Sequence, residues 1–202
     1  MSPIQEIGIL LLQTLGSVYL MIIALRFLLQ VARADFYNPI SQFAVKATNP
    51  VLIPIRRAVP GILGIDLASI VLALALQYLV IQLSGLILGF GVMNPVHVLA
   101  FGAVGCLSLV ASIYFWALLA MVISSWVAPQ SSHPALLLIH QLVEPLMKPF
   151  RKLMPDMGGI DISPIFAFLA LNVVQVLIKH MAGAVIQMSG YGPRVVSLVM
   201  GI

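Results

Sequence analysis

Four separate runs of about 20 or more nearly uninterrupted apolar residues dominate this sequence, and they decide its solvent before any motif is read. A bilayer core about 30 Å thick needs roughly 20 apolar residues at about 1.5 Å rise each. The runs at about 7–29, 67–90, 98–126 and 162–188 all reach that length. Composition agrees, because 61% of the 202 residues are hydrophobic and only 8% charged, against about 25% charged in an ordinary soluble domain. So few charges cannot clothe a water-soluble globule, and the sequence predicts an all-α membrane protein with four transmembrane helices. MSPIQE lacks the basic start of a secretion signal, and the apolar run behind it exceeds the usual signal core of about 7 to 15 residues. The first run is therefore expected to remain as an anchor.

The charges give an orientation. Arg33, Lys46, Arg56 and Arg57 lie in a long segment after the first run, and Lys148, Arg151 and Lys152 in another after the third. No Lys or Arg precedes the first run or sits in GVMNPVH, the short turn between the second and third. The positive-inside rule then places both long segments in the cytoplasm and both termini outside. Lys179 and Arg194 fall on the other side. Both Lys179 and Arg26, in the last turn of the first run, are expected to snorkel to headgroups.

Several functions are excluded or disfavoured. The net charge of +4 rests on 10 basic against 6 acidic residues with no basic run longer than two, so nucleic acid is not an expected partner. Cys106 is the single cysteine, which excludes an intrachain disulfide and a cysteine metal cluster. His133 and His140 belong to a cytoplasmic segment while His97 and His180 fall toward the opposite side, so no two imidazoles are set to face each other, and no cofactor is expected. Serine-nucleophile, phosphate-loop and dinucleotide signatures are absent.

Displaced by 95 positions, the chain matches itself without a gap. Pro39 falls on Pro134, Pro50 on Pro145, Pro54 on Pro149, Arg56 on Arg151, Arg57 on Lys152, Pro60 on Pro155, Gly64 on Gly159 and Asp66 on Asp161. The expected division is residues 1–95 and 96–202, each a span, a cytoplasmic segment and a span. Two spans return the chain to its starting side, so the repeats are parallel and should be related by a pseudo-two-fold axis along the membrane normal. Asn38 can cap a helix opened by Pro39, with Ile40, Phe43, Ala44 and Ala47 as its apolar stripe. Ser132 or His133 does the same before Pro134, followed by Leu136, Ile139, Leu142 and Val143. Pro50 and Pro145 are expected to stop these helices, and Pro60 and Pro155 to end the short pieces that follow. Each segment is thus expected to form an amphipathic helical hairpin at the interface.

The repeated pattern P-x-x-x-P-x-R-[RK]-x-x-P-x-x-x-G-x-D, from Pro50 to Asp66 and from Pro145 to Asp161, resembles the YggT family, also called YlmG, of small bacterial and plastid membrane proteins. The resemblance covers nearly the whole chain as two tandem units. It implies a multi-pass protein of the bacterial inner membrane without an established enzymatic activity. It further implies a link to osmotic-stress tolerance or ion homeostasis, to envelope and division processes, and in plastids to nucleoid partition and cytochrome assembly. Glu144 stands where the first unit has Asn49 and Pro164 where it has Ser69, so the halves need not be functionally equivalent.

Asp66 and Asp161 stand at span entrances. Each is either an N-cap that accepts from free first-turn N–H groups or the mouth of an ion path. Gly64 and Gly159 fit a tight turn before them. Arg56, Arg57, Arg151 and Lys152 either pair with these aspartates, bind anionic lipid headgroups at the cytoplasmic face or meet a membrane-protein partner. Gln77 and Asn172 are equivalent in the repeat, each about three turns beyond its aspartate on the same helix face, and Gln175 extends the set. They either bond between helices or line a path at the common axis. Gly85 and Gly89 suggest a close helix contact.

Overall fold

Among the described residues, every regular element is a helix apart from an isolated bridge between Ile62 and Ile65. The structure is a computed structural model that describes residues 2–62, 64–153, 161–192, 195 and 198–199. In chain order the helices are α1 (Pro3–Val31), α2 (Pro39–Ala58), α3 (Leu67–Ile87), α4 (Pro95–Val127), α5 (Pro134–Leu153) and α6 (Ser163–Ser189). Helices α1, α3, α4 and α6 are long and apolar enough to cross a membrane, and the chain is a multi-pass membrane protein. Their outer faces expose Leu15, Leu79, Trp116 and Leu177, which only lipid or another helix tolerates as a continuous surface. Pro155, Gly159 and Arg194 lie outside the described residues.

Local chemistry sets the helix starts. Ser2 and Gln5 form a reciprocal capping box at α1, satisfying two otherwise unpaired N–H donors. Asn38 caps α2 by accepting from the Ile40 amide at 3.0 Å, ahead of Pro39. His133 takes that place before α5, its Nδ1 accepting from the Ala135 amide at 3.2 Å.

The connecting segments differ from the broken hairpins expected. Pro50 and Pro54 lie inside α2, and Pro145 and Pro149 inside α5, so neither Pro50 nor Pro145 stops its helix. A proline deprives the carbonyl four residues earlier of its donor. All four prolines are on the exposed side, where that carbonyl need not be buried. The opposite side of α2 is held by packing through Ser41, Ala44, Thr48 and Leu52. The apolar stripe is therefore turned from its expected position: Phe43 is 61% exposed while Ser41 and Thr48 are inside. Both hydroxyls are satisfied there, Ser41 donating to the Asp35 carbonyl at 2.8 Å and Thr48 to the Ala44 carbonyl at 2.7 Å.

The main core joins α1, α4, α5 and α6 through Leu20, Leu28, Leu118, Leu142, Met147 and Ala167. The two connecting helices meet where the Asn38 amide donates to the Pro134 carbonyl, and the Asp35 N–H just ahead of α2 donates to Gln141 Oε1, both at 2.8 Å. Helix α3 packs on α1 and α4, whereas α6 packs on α4 and α5. A closed two-fold relation would require α6 to pack on α1 as α3 packs on α4. Among the described residues it has no comparable contact, so the expected pseudo-two-fold does not close within one chain. The close helix contact is at Gly102, where an added Cβ would stand 3.1 Å from Gln77 Cβ. Gly85 instead makes room for Met93, and Gly89 lies beyond α3 with φ +82°.

Candidate functional site: the charged pocket of the first repeat

Arg26 comes late in α1, where its stem could have carried the charge out to headgroups, but it is 4% exposed. The snorkelling expectation fails because α2 supplies acceptors at the right height. Nη1 donates to the Val45 carbonyl at 3.3 Å, to Asn49 Oδ1 at 2.9 Å and to Thr48 Oγ1. A buried charge is tolerated only when its donors find partners. Arg26 thereby latches α1 to α2.

A second pair closes α2 onto α3. Arg56, in the last turn of α2, reaches Asp66 with both Nε, at 3.2 Å from Oδ1, and Nη2 on Oδ2. This fork-on-carboxylate geometry is the strong form of an ion pair. Ser69 Oγ donates to the same carboxylate at 2.6 Å. Asp66 occupies the N-cap position of α3, yet its side chain takes no backbone N–H. The cap expectation is therefore corrected at Asp66: the carboxylate is consumed by Arg56 and Ser69. Gly64, with φ +83°, turns the preceding loop so that its carbonyl accepts from Gln30 Nε2 at 3.3 Å. Burial pushes the Asp66 carboxyl up, but the hydrogen bonds from Arg56 and Ser69 and the charges of Arg56 and Arg26 outweigh it and hold it below the ordinary carboxylate range.

These groups border an open pocket of about 650 Å³ lined by Arg26, Gln30, Phe36, Arg56, Gly64 and Asp66. Two guanidiniums face one carboxylate, so the pocket carries an excess positive charge. Its acid stays ionised at neutral pH and is a poor proton acceptor there, which suits anion contact better than general-base chemistry.

The second repeat keeps part of this arrangement. Asp161 accepts from the Ser163 N–H at 2.9 Å and from Ser163 Oγ at 2.5 Å, so here the carboxylate does serve the first turn. Arg151 reaches Asp161 at 3.3 Å and Glu144 at 2.7 Å. Burial raises the Asp161 carboxyl, but the bonds from Ser163 and Arg151 bring it below its ordinary value. Its side chain is 49% exposed against 4% for Asp66. Arg57 and Lys152 are exposed and form no ion pair among the described residues.

The amides part company. Gln77 is fully buried against α4, whereas Asn172 is exposed and donates to the Phe168 carbonyl of its own helix at 2.8 Å. Gln175 is half-buried. The expected convergence on a common axis is not formed. The cavity of about 330 Å³ between α1, α3 and α4 has walls such as Leu20, Ile23, Phe27, Ala73, Leu74 and Val110, and exposes no polar surface.

A family model described as CCB3/YggT matches residues 5–87 and again 101–182. The chain belongs to the CCB3/YggT family. The two matched segments are the two repeats, and the CCB3/YggT match runs through both latches. Among relatives, an uncharacterized protein of Pseudomonas aeruginosa is 49% identical, covering 88% of this chain and 91% of that protein. An uncharacterized Vibrio alginolyticus protein is 39% identical over 87% of this chain and 95% of its own. The uncharacterized protein YggT of Escherichia coli K12 is 40% identical over 81% and 85%. No solved structure matches the chain.

Proposed function

We propose that this CCB3/YggT protein is a non-enzymatic accessory protein of the bacterial inner membrane, a scaffold for membrane complexes that contributes to osmotic-stress tolerance and envelope homeostasis. The observation that carries this reading is how the polar groups are used. Arg26, Arg56 and Asp66 fasten helices to one another, and the amides Gln77 and Asn172 do not share a lumen. A conduit needs polar groups lining one continuous water-accessible path, and the cavity between α1, α3 and α4 exposes hydrocarbon surface alone.

In this reading α2 and α5 face the cytoplasm and both termini lie outside, as the basic residues favour. Arg57 and Lys152, exposed at equivalent positions, touch anionic headgroups with about 1 kcal/mol of attraction each. The excess charge of the first-repeat pocket supports the same contact.

The test combines flux and growth. Purified protein in liposomes of mixed anionic lipid should pass no ion above the protein-free background. A deletion strain should recover poorly from hyperosmotic shock and be rescued by the wild-type chain. Rescue should fail with an Arg56→Ala, Asp66→Ala variant that still reaches the membrane. Reproducible flux that a folded Gln77→Leu, Asn172→Leu variant abolishes would replace the scaffold with a channel.

A further inference from the structure

We propose that the protein assembles as a two-fold dimer in which α6 of each copy packs on α1 of the other, repeating between copies the contact that α3 makes with α4 within one. The internal repeat carries α3 onto α6 and α1 onto α4. On α3, Gln77, Ile81 and Ser84 form one fully buried stripe, spaced to share a helix face. Helix α4 covers it: Gly102 admits Gln77, and Val98 and Phe101 pack with Ile81.

The equivalent positions on α6 are Asn172, Val176 and Lys179, and Val176 is 51% exposed with the other two exposed beside it. The equivalents of Val98, Phe101 and Gly102 on α1 are Pro3, Glu6 and Ile7, again all exposed. Both halves of one interface are thus made once and left open once. The same one-sidedness recurs at the connecting helices: α1 packs on α5, with no comparable packing of α4 on α2 among the described residues. A contact without its reciprocal is head-to-tail, and such contacts either close into a ring or propagate. Helix α1 also touches α4, and α2 touches α5, so equivalent helices lie near the rotation axis and few units are needed to close. Two units do not close in one chain. The next even number is four, which is two copies.

Charge singles out this partner over lipid. Lys179 is a cation on the exposed face of α6, ten residues before the helix end at Ser189, so it reaches headgroups only by a long snorkel, and its side chain makes no hydrogen bond or ion pair among the described residues. Lipid is a poor neighbour for it. Glu6 is the acid on the open face of α1 and is likewise without an ion pair. Because Phe101 packs with Ile81, one turn from Ser84, the repeat brings Glu6 of one copy within about a turn, about 5 Å of rise, of Lys179 on the other. Side-chain volumes agree: a larger amide opposite no side chain, at Gln77 and Gly102, becomes a smaller amide opposite a branched one, at Asn172 and Ile7.

Cysteine trapping in native membranes tests this, in a Cys106→Ser background. Differently tagged chains, one carrying Ile7→Cys and the other Asn172→Cys, should form a mixed-tag covalent dimer on mild oxidation. Each variant expressed alone should stay uncrosslinked, because the two-fold sets like positions apart. Stepwise photobleaching of fluorescently tagged wild-type chains in bilayers should count two per complex. Lys179→Glu should weaken association at least tenfold, and adding Glu6→Lys should restore it. Counts of one or of more than two, Asn172→Cys chains crosslinking with themselves as readily as with the Ile7→Cys chain, or no rescue by the charge swap would each overturn the proposal.

Discussion

Thr48→Val is the sharpest probe of the first latch, because the chain itself supplies the apolar alternative. The positions equivalent to Arg26, Thr48 and Asn49 hold Met121, Val143 and Glu144 in the second repeat. Thr48 Oγ1 accepts from Arg26 while donating to the Ala44 carbonyl at 2.7 Å. Valine has nearly the same shape and removes that acceptor from a guanidinium whose Nε is already buried without a partner. A hydrogen bond to a charged group contributes about 1.5–3 kcal/mol, so Thr48→Val should cost about 2 kcal/mol. Arg26→Met alone sets lost bonds at Thr48, Asn49 and Val45 against relief from burying a charge, and should fall within about 1 kcal/mol of neutral. In that background Thr48→Val should cost almost nothing, since replacing both partners of a buried polar pair by apolar groups is nearly neutral. The coupling is then about 2 kcal/mol. Reversible unfolding of the four purified variants in mixed micelles measures it. Equal costs for Thr48→Val in both backgrounds, within about 0.5 kcal/mol, would refute the latch.

Asp66→Asn should be nearly as damaging as Asp66→Ala, about 1 kcal/mol for a pair whose arginine is part-exposed. Asp161→Asn should be milder than Asp161→Ala, since an amide oxygen still accepts from the Ser163 N–H; thermal shift in detergent ranks the four. Asp66 is held below its ordinary value when folded, so the unfolded chain binds more protons at low pH. Its contribution is complete above the unfolded value of about 3.9 and is lost as pH falls through the folded one, a loss that Asp66→Asn should remove from the melting profile. Gly8→Ala, where an added Cβ meets nothing within 4 Å, should gain up to about 1 kcal/mol of helix propensity. Gly102→Ala should lose that gain, because its Cβ would crowd Gln77 at 3.1 Å between two helix backbones, and overpacking costs about 1 kcal/mol or more.

The spans were legible because a bilayer enforces a length and a polarity that few sequences meet by accident. Asn38 with Pro39 was legible for a similar reason, since a cap is decided within three residues. The second repeat's aspartate behaved as a local rule expects, accepting from Ser163. Asp66 did not, because Arg56 grips it through both Nε and Nη2 and Ser69 donates to it, whereas Arg151 is shared between Asp161 and Glu144. Arg26 was missed because its acceptors lie on another helix, and the solvent-side reading of a terminal arginine is correct when no such helix packs there. One signal for it was present. Arg26, Thr48 and Asn49 are replaced together in the second unit, as joint members of one contact would be. The amides show the opposite error, since equivalence in sequence predicted equivalence in environment, and α3 is covered by α4 where α6 is not.

That asymmetry between like-built halves can be tested by moving the latch. Met121→Arg alone places a guanidinium between α4 and α5 opposite Val143, which is fully buried, with Glu144, already paired with Arg151, as the one acidic acceptor at the position Asn49 fills in the first repeat, and a buried charge so incompletely bonded should cost about 3 kcal/mol. Adding Val143→Thr and Glu144→Asn supplies the two side-chain acceptors that Arg26 uses in the first repeat, and the hydroxyl gains the carbonyl one turn back as Thr48 does. Most of the loss should return, leaving a deficit of about 1–2 kcal/mol from the hydrocarbon given up at Val143 and the Arg151 bond given up at Glu144. Unfolding in mixed micelles reports the stabilities. Amide exchange along α5 reports whether the recovery is local, as it must be if the helix is held by the transplanted bonds. Should the triple variant be no more stable than Met121→Arg alone, the latch would depend on more of the first repeat than these three side chains, and the two units would share a topology without sharing the interactions that hold it.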